Sequence, residues 1–256
     1  MHDMQTRAPL MSASSLSRRF GGLTAVDAVS IDLHVGQVHA VIGTNGAGKS
    51  TLINMLSGEI PPSGGSIAFD GQDISRWSQP RRARAGVGRS YQRTTIFHSF
   101  DVLENCRLAA QSAAQKPWAI WQAASACSSS LARARDAMEI AGLTHAAATP
   151  AGSLSHGQQR QLEIAMCLAT GPRVLLLDEP LAGMGAEETE RMLAMLEQLK
   201  QAHAVLLVEH DMDAVFRVAD HITVMVNGQV IASDTPAAIR NNPEVQLAYL
   251  GEAHAN

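Results

Sequence analysis

Three stretches of this chain combine residue types and spacings that could do chemistry. The first is Gly43-Thr44-Asn45-Gly46-Ala47-Gly48-Lys49-Ser50, which fits G-x-x-x-x-G-K-[ST]. A polyphosphate is gripped by backbone N–H groups at close range, which demands residues with little or no side chain. Gly43, Gly46, Ala47 and Gly48 meet that demand. Lys49 is then placed to reach the β- and γ-phosphates, and the Ser50 hydroxyl to ligate Mg²⁺. The glycines run G-x-x-G-x-G, which disfavours a dinucleotide fingerprint. The second stretch, Val174-Leu-Leu-Leu-Asp-Glu-Pro180, is apolar and ends in two adjacent acids. At the end of a strand both carboxylates can turn into one site, Asp178 to hold Mg²⁺ through water and Glu179 to orient or deprotonate the attacking water. Taken alone, the pair is equally an ordinary solvated strand end. The third, Leu154-Ser-His-Gly-Gln-Gln159, opens an apolar-periodic helix, and Ser155 with Gly157 offers either a second anion nest or simply a good cap.

The elements that must position these residues read as short buried strands alternating with amphipathic helices, an α/β layer structure. Ser30 to Val35 alternates as a half-buried strand, and Val38 to Ile42 is a strand running straight into the glycine turn at Gly43. Lys49 to Leu56 reads as a helix ended by Gly58, with Pro61-Pro62 beyond. Ser66 to Phe69 is a short strand before the Asp70-Gly71 turn. From Asp101 to Pro150 alanine dominates and nothing reads as a strand, so this segment is expected to be a helical insert. Strand signals return at Val174 to Asp178, Ala204 to Glu209 and Ile222 to Val226. Between the first two lies a helix with Met192, Met195, Leu196 and Leu199 on one face and Glu187, Glu188 and Glu190 in its first turn. Two short helices, started by Thr235-Pro236 and Asn242-Pro243, close the chain.

Composition narrows the classes. The 256 residues are 46% hydrophobic and 17% charged, enough to bury a sizeable core,. A formal charge of −4 lowers the rank of a general nucleic-acid-coating protein. Cys106, Cys127 and Cys167 are odd in number and without CxxC spacing, which fits a reducing compartment and no thiolate metal site. No apolar run approaches the ~20 residues of a membrane span, and Met1 to Arg19 has no signal-peptide core. A cytosolic chain is expected.

With its phosphate loop, its Leu154–Gln158 segment and its Val174–Glu179 strand in this order and spacing, the sequence resembles the ATP-binding cassette (ABC) family of transporter ATPases. The resemblance implies a P-loop NTPase core with an antiparallel β subdomain and an inserted α-helical subdomain. It would form a single domain over residues 10–254, the helical part covering about 96–170. It implies ATP and Mg²⁺, with Gly43 to Thr51 holding the phosphates and Phe20 stacking on adenine. Gln92, in Ser90-Tyr91-Gln92, would sense the γ-phosphate, join Ser50 and Asp178 at the metal and touch a membrane subunit. His210, in Val208-Glu209-His210-Asp211, would contact the γ-phosphate and act with Glu179 and Lys49 in catalysis. Leu154, Ser155, His156, Gly157 and Gln158 would act on the ATP of a partner subunit. Arg19 to Val26, Ile239 to Val245 and Ala248 to Ala253 look like the branched-chain amino-acid uptake branch, in the manner of its larger ATPase subunit. Leu154 to Gln158 and Ala182-Gly-Met-Gly185 resemble the urea and short-amide branch at least as well. His156 and Gly185 depart from the family's common glycine and aspartate.

The implied partners are two membrane permease subunits, a second ATPase subunit and a periplasmic substrate-binding protein, at the cytoplasmic face of the inner membrane. Three other readings compete. A P-loop kinase would have no use for Leu154 to Gln158. A non-catalytic module predicts damage at Lys49, Asp178 or Glu179, which are intact. A cassette ATPase acting on nucleic acid or ribosomes could use Arg76, Arg81, Arg82, Arg84, Arg89 and Arg93, which have no acid among them. Without twin cassettes or aromatic interleaving beyond Tyr91, that cluster reads instead as a solvated face, partly against the membrane partner, and no nucleic acid is expected.

Overall fold

A computed structural model describes residues 8–92, 95–114 and 128–253. Strands β1 (Met11–Phe20) and β2 (Leu23–Leu33) form a hairpin, followed by β3 (Val38–Gly43) and helix α1 (Lys49–Ser57). Next come β4 (Gly64–Phe69), β5 (Gln72–Asp73), α2 (Gln79–Ala85) and β6 (Val87–Arg89). Helices α3 (Val102–Ala114), α4 (Ser128–Ile140) and α5 (His156–Ala169) follow, with no strand between them among the described residues. The remainder alternates: β7 (Val174–Asp178), α6 (Ala186–Leu199), β8 (Ala204–Val208), α7 (Met212–Val218), β9 (His221–Val226), β10 (Gln229–Asp234), α8 (Pro236–Arg240) and α9 (Pro243–Ala253).

The strands divide into an antiparallel sheet ordered β2-β1-β4-β5 and a sheet ordered β10-β9-β3-β8-β7-β6. The second is parallel except at its β10 edge. Strands β3, β7 and β8 are buried along their whole length because both faces of this sheet are covered. Val41, Leu176 and Leu206 point into one core, shared with α1 and the antiparallel sheet. Ile42, Leu177 and Leu207 point into the other, beneath the later helices. Cys106 and Ala110 of α3, Ala137 and Met138 of α4 and Leu162 and Ala165 of α5 extend that second core, the small Cys106, Ala110, Ala137 and Ala165 leaving room for Met138 and Leu162. An isolated bridge between Asp101 and Pro150 closes the base of the helical segment.

Register sets the site. Val41 pairs with Val208, and Asp178 also pairs with Val208. The carboxyl ends of β3, β7 and β8 therefore finish together, where ligands of open parallel sheets bind.

The α/β architecture and the helical stretch after Asp101 agree with expectation. The first hairpin does not. Ser30 to Val35 was expected as one strand, yet β2 begins at Leu23 and ends at Leu33, and β1 carried no expectation at all. Register shifts interrupt the β1–β2 ladder, and Ser15 and Ala28 sit at positive φ within it. A bulged strand loses its two-residue period. The arginine cluster also needs correction. Arg82 is buried and donates to the carbonyls of Met55, Leu56, Ser75 and Trp77, so it pins α2 to α1. Arg89 is likewise interior. Only Arg76, Arg81 and Arg84 face solvent among the described members, and Arg93 lies outside the described residues. Cys106 and Cys167 are buried, their thiols pushed up to about 12 by burial, and therefore inert,; Cys127 lies outside the described residues.

Candidate functional site

The phosphate loop joins β3 to α1, and two of its glycines are required by geometry. A Cβ on Gly43 would lie 2.1 Å from the Met225 carbonyl oxygen, and one on Gly48 2.3 Å from that of Ala25. Gly48 also has φ +97° and is the N-cap of α1, where no side chain caps the helix and no acid occupies the first turn. The start of α1 thus offers its N–H groups and the positive end of its dipole to an outside anion. The hairpin turn after β9 braces the loop, with Gly228 N–H donating to the Ala47 carbonyl at 3.1 Å.

This loop borders an open cavity of about 550 Å³. Asn45, Gly46, Ala47, Gly48, Lys49, Ser50 and Thr51 form its floor. Phe20, at the end of β1 and 45% exposed, also lines the cavity, with Leu23 and Thr24. One cavity thus holds an exposed aromatic ring and a run of backbone amides, the groups a purine with a polyphosphate tail needs. Gln92 and Glu179 close the remaining side. Lys49 is buried, and its Nζ donates to the carbonyls of Gly43 and Thr44 at 2.6 and 2.9 Å, which holds its charge within the loop.

The acids at the end of β7 part company. Asp178 stays beneath the cavity floor, 4% exposed, with its Oδ2 3.6 Å from Arg89 Nη2. Burial pushes its carboxyl up, and the Glu179 charge adds to this, against the pull of Arg89 and Lys49. Glu179 adopts φ +48°, a left-handed conformation that turns its carboxylate the other way, to the cavity. There Gln92 Nε2 donates to Glu179 Oε2 at 3.3 Å, and His210 Nδ1 lies 3.9 Å from Glu179 Oε1. His210 is itself exposed and stands at the mouth, outside the cavity lining. Hydroxyl and carboxylate oxygens of Ser50 and Glu179 line the cavity beside the uncapped helix, while the Asp178 carboxylate lies outside that lining. That donor set fits Mg²⁺, which takes few protein oxygens and completes its shell with water and phosphate.

Leu154 to Gln158 lie apart from this cavity. Ser155 is the N-cap of α5: its Oγ accepts from Gln158 N–H at 3.2 Å, while Gln158 Oε1 accepts from Ser155 N–H at 3.1 Å,. One chain therefore does not bring the two anion nests together.

Contacts that the sequence reading did not foresee tie these pieces. Arg89 donates to Asn54 and Ser57 of α1 and to Glu59, besides facing Asp178. On α5, the buried Arg160 donates to the carbonyls of Tyr91 and Gln92, and Glu163 accepts from Tyr91 N–H at 3.0 Å. Arg160 and Glu163 also pair with each other at 3.1 Å. The backbone carrying Gln92 is thus clamped to the helix that starts at Ser155. The signal in the sequence was faint: an Arg–Glu pair three residues apart on the buried face of an otherwise apolar-periodic helix.

Comparison with known proteins agrees with this geometry. Residues 26–182 match the family model described as ABC transporter, and residues 229–255 match the one described as branched-chain amino acid ATP-binding cassette transporter. The chain is 41% identical, over 96% of its length and 99% of the relative's, to the high-affinity branched-chain amino acid transport ATP-binding protein BraF of Pseudomonas aeruginosa. It is 40% identical over the same shares to the corresponding protein LivG of Escherichia coli. A nucleotide-free ATP-binding cassette from an ABC transporter superposes with TM-score 0.84 at 29% identity, covering 94% of this chain and 98% of that one. An ADP-bound cassette superposes with TM-score 0.83 at 28% identity, covering 96% and 100%. With a P-loop NTPase core, an uncapped phosphate-binding helix and full-length likeness of this degree, the chain belongs to the ABC transporter family and is one of its ATPases.

Proposed function

We propose that this ATPase powers an importer of branched-chain amino acids. The observation that carries the reading is the match of residues 229–255 to the branched-chain amino acid cassette model, beside relatives of that name along the whole chain. Urea or short-amide import is the second reading, favoured by Leu154 to Gln158 and Ala182 to Gly185. The proposed partners are two membrane permeases, a second ATPase subunit and a periplasmic binding protein, with this chain peripheral on the cytoplasmic face of the inner membrane. No described helix is long and apolar enough to cross a membrane. The proposed unit is a single cassette over residues 10–254, its helical part at about 96–170.

Phe20 stacks on the adenine, and the amides from Gly43 to Thr51 with Lys49 hold the phosphates. Ser50, Gln92 and Asp178 would hold Mg²⁺, which would supply positive charge against the phosphates. Glu179 orients and deprotonates the attacking water, and His210 steadies the γ-phosphate. The separation of Ser155 and Gly157 from the chain's own cavity supports a head-to-tail pair in which each nest serves the partner's ATP.

Glu179→Gln keeps shape and hydrogen-bonding reach but removes the base. Nucleotide affinity should stay within a few-fold while turnover falls by about 10²-fold or more, leaving an ATP-bound pair. Light scattering with ATP, Mg²⁺ and the partner ATPase subunit checks this, and particles of single-chain mass alone would contradict the mechanism. Uptake of labelled leucine, urea and acetamide in a deletion strain decides the substrate.

A further inference from the structure

Helix α5 has no acid in its own first turn, yet its N-terminus is not left to solvent. Glu188, carried by α6, reaches across and places its carboxylate there. Ser155 Oγ donates to Glu188 Oε1 at 2.8 Å, and with this bond and the nearby Gly157 amide the Glu188 carboxyl is held below the usual carboxylate range. A Cβ at residue 157 would lie 2.3 Å from Glu188 Cδ and 2.6 Å from each oxygen. Gly157 is thus the residue that admits an anion, and the anion admitted is the chain's own.

Capping of α6 alone does not explain this placement. Glu188 does accept from Gly185 N–H at its own helix start, at 3.4 Å. Its shorter bond, however, runs to Ser155 on the other helix. Glu187, in the same first turn of α6, instead reaches forward to Arg191 at 2.7 Å. Of two adjacent acids, one serves its own helix and the other serves its neighbour.

The chemistry of the nest then sets up a competition. A serine hydroxyl and a backbone amide each carry one proton. While Ser155 donates to Glu188, it cannot donate to a phosphate oxygen, and the carboxylate lying over Gly157 repels a second anion from the same nest,. We infer that Glu188 is an intramolecular stand-in for phosphate that keeps the Ser155–Gly157 nest closed until the partner subunit's nucleotide displaces it. This rests on the reading above, in which that nest serves ATP held by another subunit. The latch makes assembly of the pair respond to nucleotide: apposition without a γ-phosphate offers nothing to replace Glu188, whereas ATP does.

The test uses the full-length chain carrying Glu179→Gln, mixed with the partner ATPase subunit and titrated with ATP and Mg²⁺, with assembly followed by light scattering. Adding Glu188→Gln keeps the side chain's shape and removes its charge. Adding Glu188→Asp shortens the reach by one methylene. Both should lower the ATP concentration at half-assembly by about 3- to 10-fold, because the nest no longer has to be cleared. Binding of a fluorescent ATP analogue to the unassembled chain, which reports only its own phosphate loop, should not move. An unchanged or raised ATP requirement in both variants, with Glu179→Gln alone assembling normally, overturns the latch and leaves the proposed cycle standing. Failure of Glu179→Gln itself to assemble removes the cycle, and the latch falls with it.

Discussion

Glu179 at φ +48° is the residue on which the site turns. A non-glycine side chain in that conformation costs on the order of 1–3 kcal/mol and persists only where its surroundings hold it. Here Glu179 N–H donates to the Val208 carbonyl at 2.9 Å, and Gln92 meets the carboxylate. Arg89 stabilises the residue just before it. Its guanidinium is 8% exposed and bridges Asn54, Ser57 and Glu59 to Asp178, so removal leaves a buried carboxylate and two polar groups of α1 without their donor. Arg89→Met should lower unfolding free energy by about 2–4 kcal/mol. The control is Arg217→Met, which breaks an exposed pair with Glu190 and should cost less than about 1 kcal/mol. Urea midpoints for the two variants measure the contrast, and equal shifts would refute the bridging role. The sequence disclosed Gly43 to Ser50, Asp178 and Glu179 because their chemistry is local in the chain. Arg89 and Glu188 were visible only as a cluster member and a first-turn acid, and their contacts stayed hidden because their partners lie about 30 to 90 residues away, a separation that no spacing rule spans.

At the scale of elements, the uncapped start of α1 contrasts with α5, capped by Ser155, and α7, capped by Asp211. An N-terminus left without a side-chain acceptor, facing a cavity, is what an anion site requires. Gly48 makes it possible, since its φ of +97° and its contact with Ala25 both exclude a Cβ. Gly48→Ala should therefore displace the loop, lowering nucleotide affinity at least about tenfold and stability by about 1–3 kcal/mol. Gly46 also has positive φ, +80°, but a Cβ there would meet nothing within 4 Å. Gly46→Ala should cost only the backbone strain, about 1 kcal/mol. Thermal unfolding and ATP-analogue titration separate the two, and a milder effect at Gly48 than at Gly46 would be incompatible with this geometry. Elements whose periodicity matches their burial were legible: β3, β7 and β8 as apolar runs, α6 as a stripe. The β1–β2 hairpin was not, because its bulges shift side chains between faces and erase the alternation on which strand reading depends,.

The whole molecule depends on how its two sheets meet, and a histidine lies at the junction. His39 on β3 is buried, 5% exposed. Its Nδ1 lies 3.0 Å from the Asp32 carbonyl of β2, and its Nε2 lies 2.8 Å from Thr223 Oγ1 of β9. A carbonyl only accepts, so Nδ1 carries the proton and Nε2 accepts from Thr223. Ser233 then donates to Thr223 at 2.7 Å, and His221 Nε2 donates to Ser233 at 3.0 Å. Protonating His39 would put a charge inside this buried junction and oblige the Thr223 and Ser233 hydroxyls to turn round. Burial, with smaller repulsions from His221 and His34, lowers the His39 pKa from 6.5 to about 4. The unfolded chain therefore binds this proton at a higher pH than the folded chain does. Stability from this group is complete above pH 6.5 and is lost as pH falls toward 4, by about 2 kcal/mol between pH 7.5 and 5. Glu163, Asp178 and Glu209, raised by burial, act in the opposite sense, each holding its proton longer when folded. His39→Gln keeps one donor and one acceptor but does not titrate. Urea midpoints of both proteins at pH 7.5 and 5.0 should show the parent losing about 2 kcal/mol more than the variant on acidification. Parallel acid losses in the two would show that the junction between the sheets does not depend on a neutral His39.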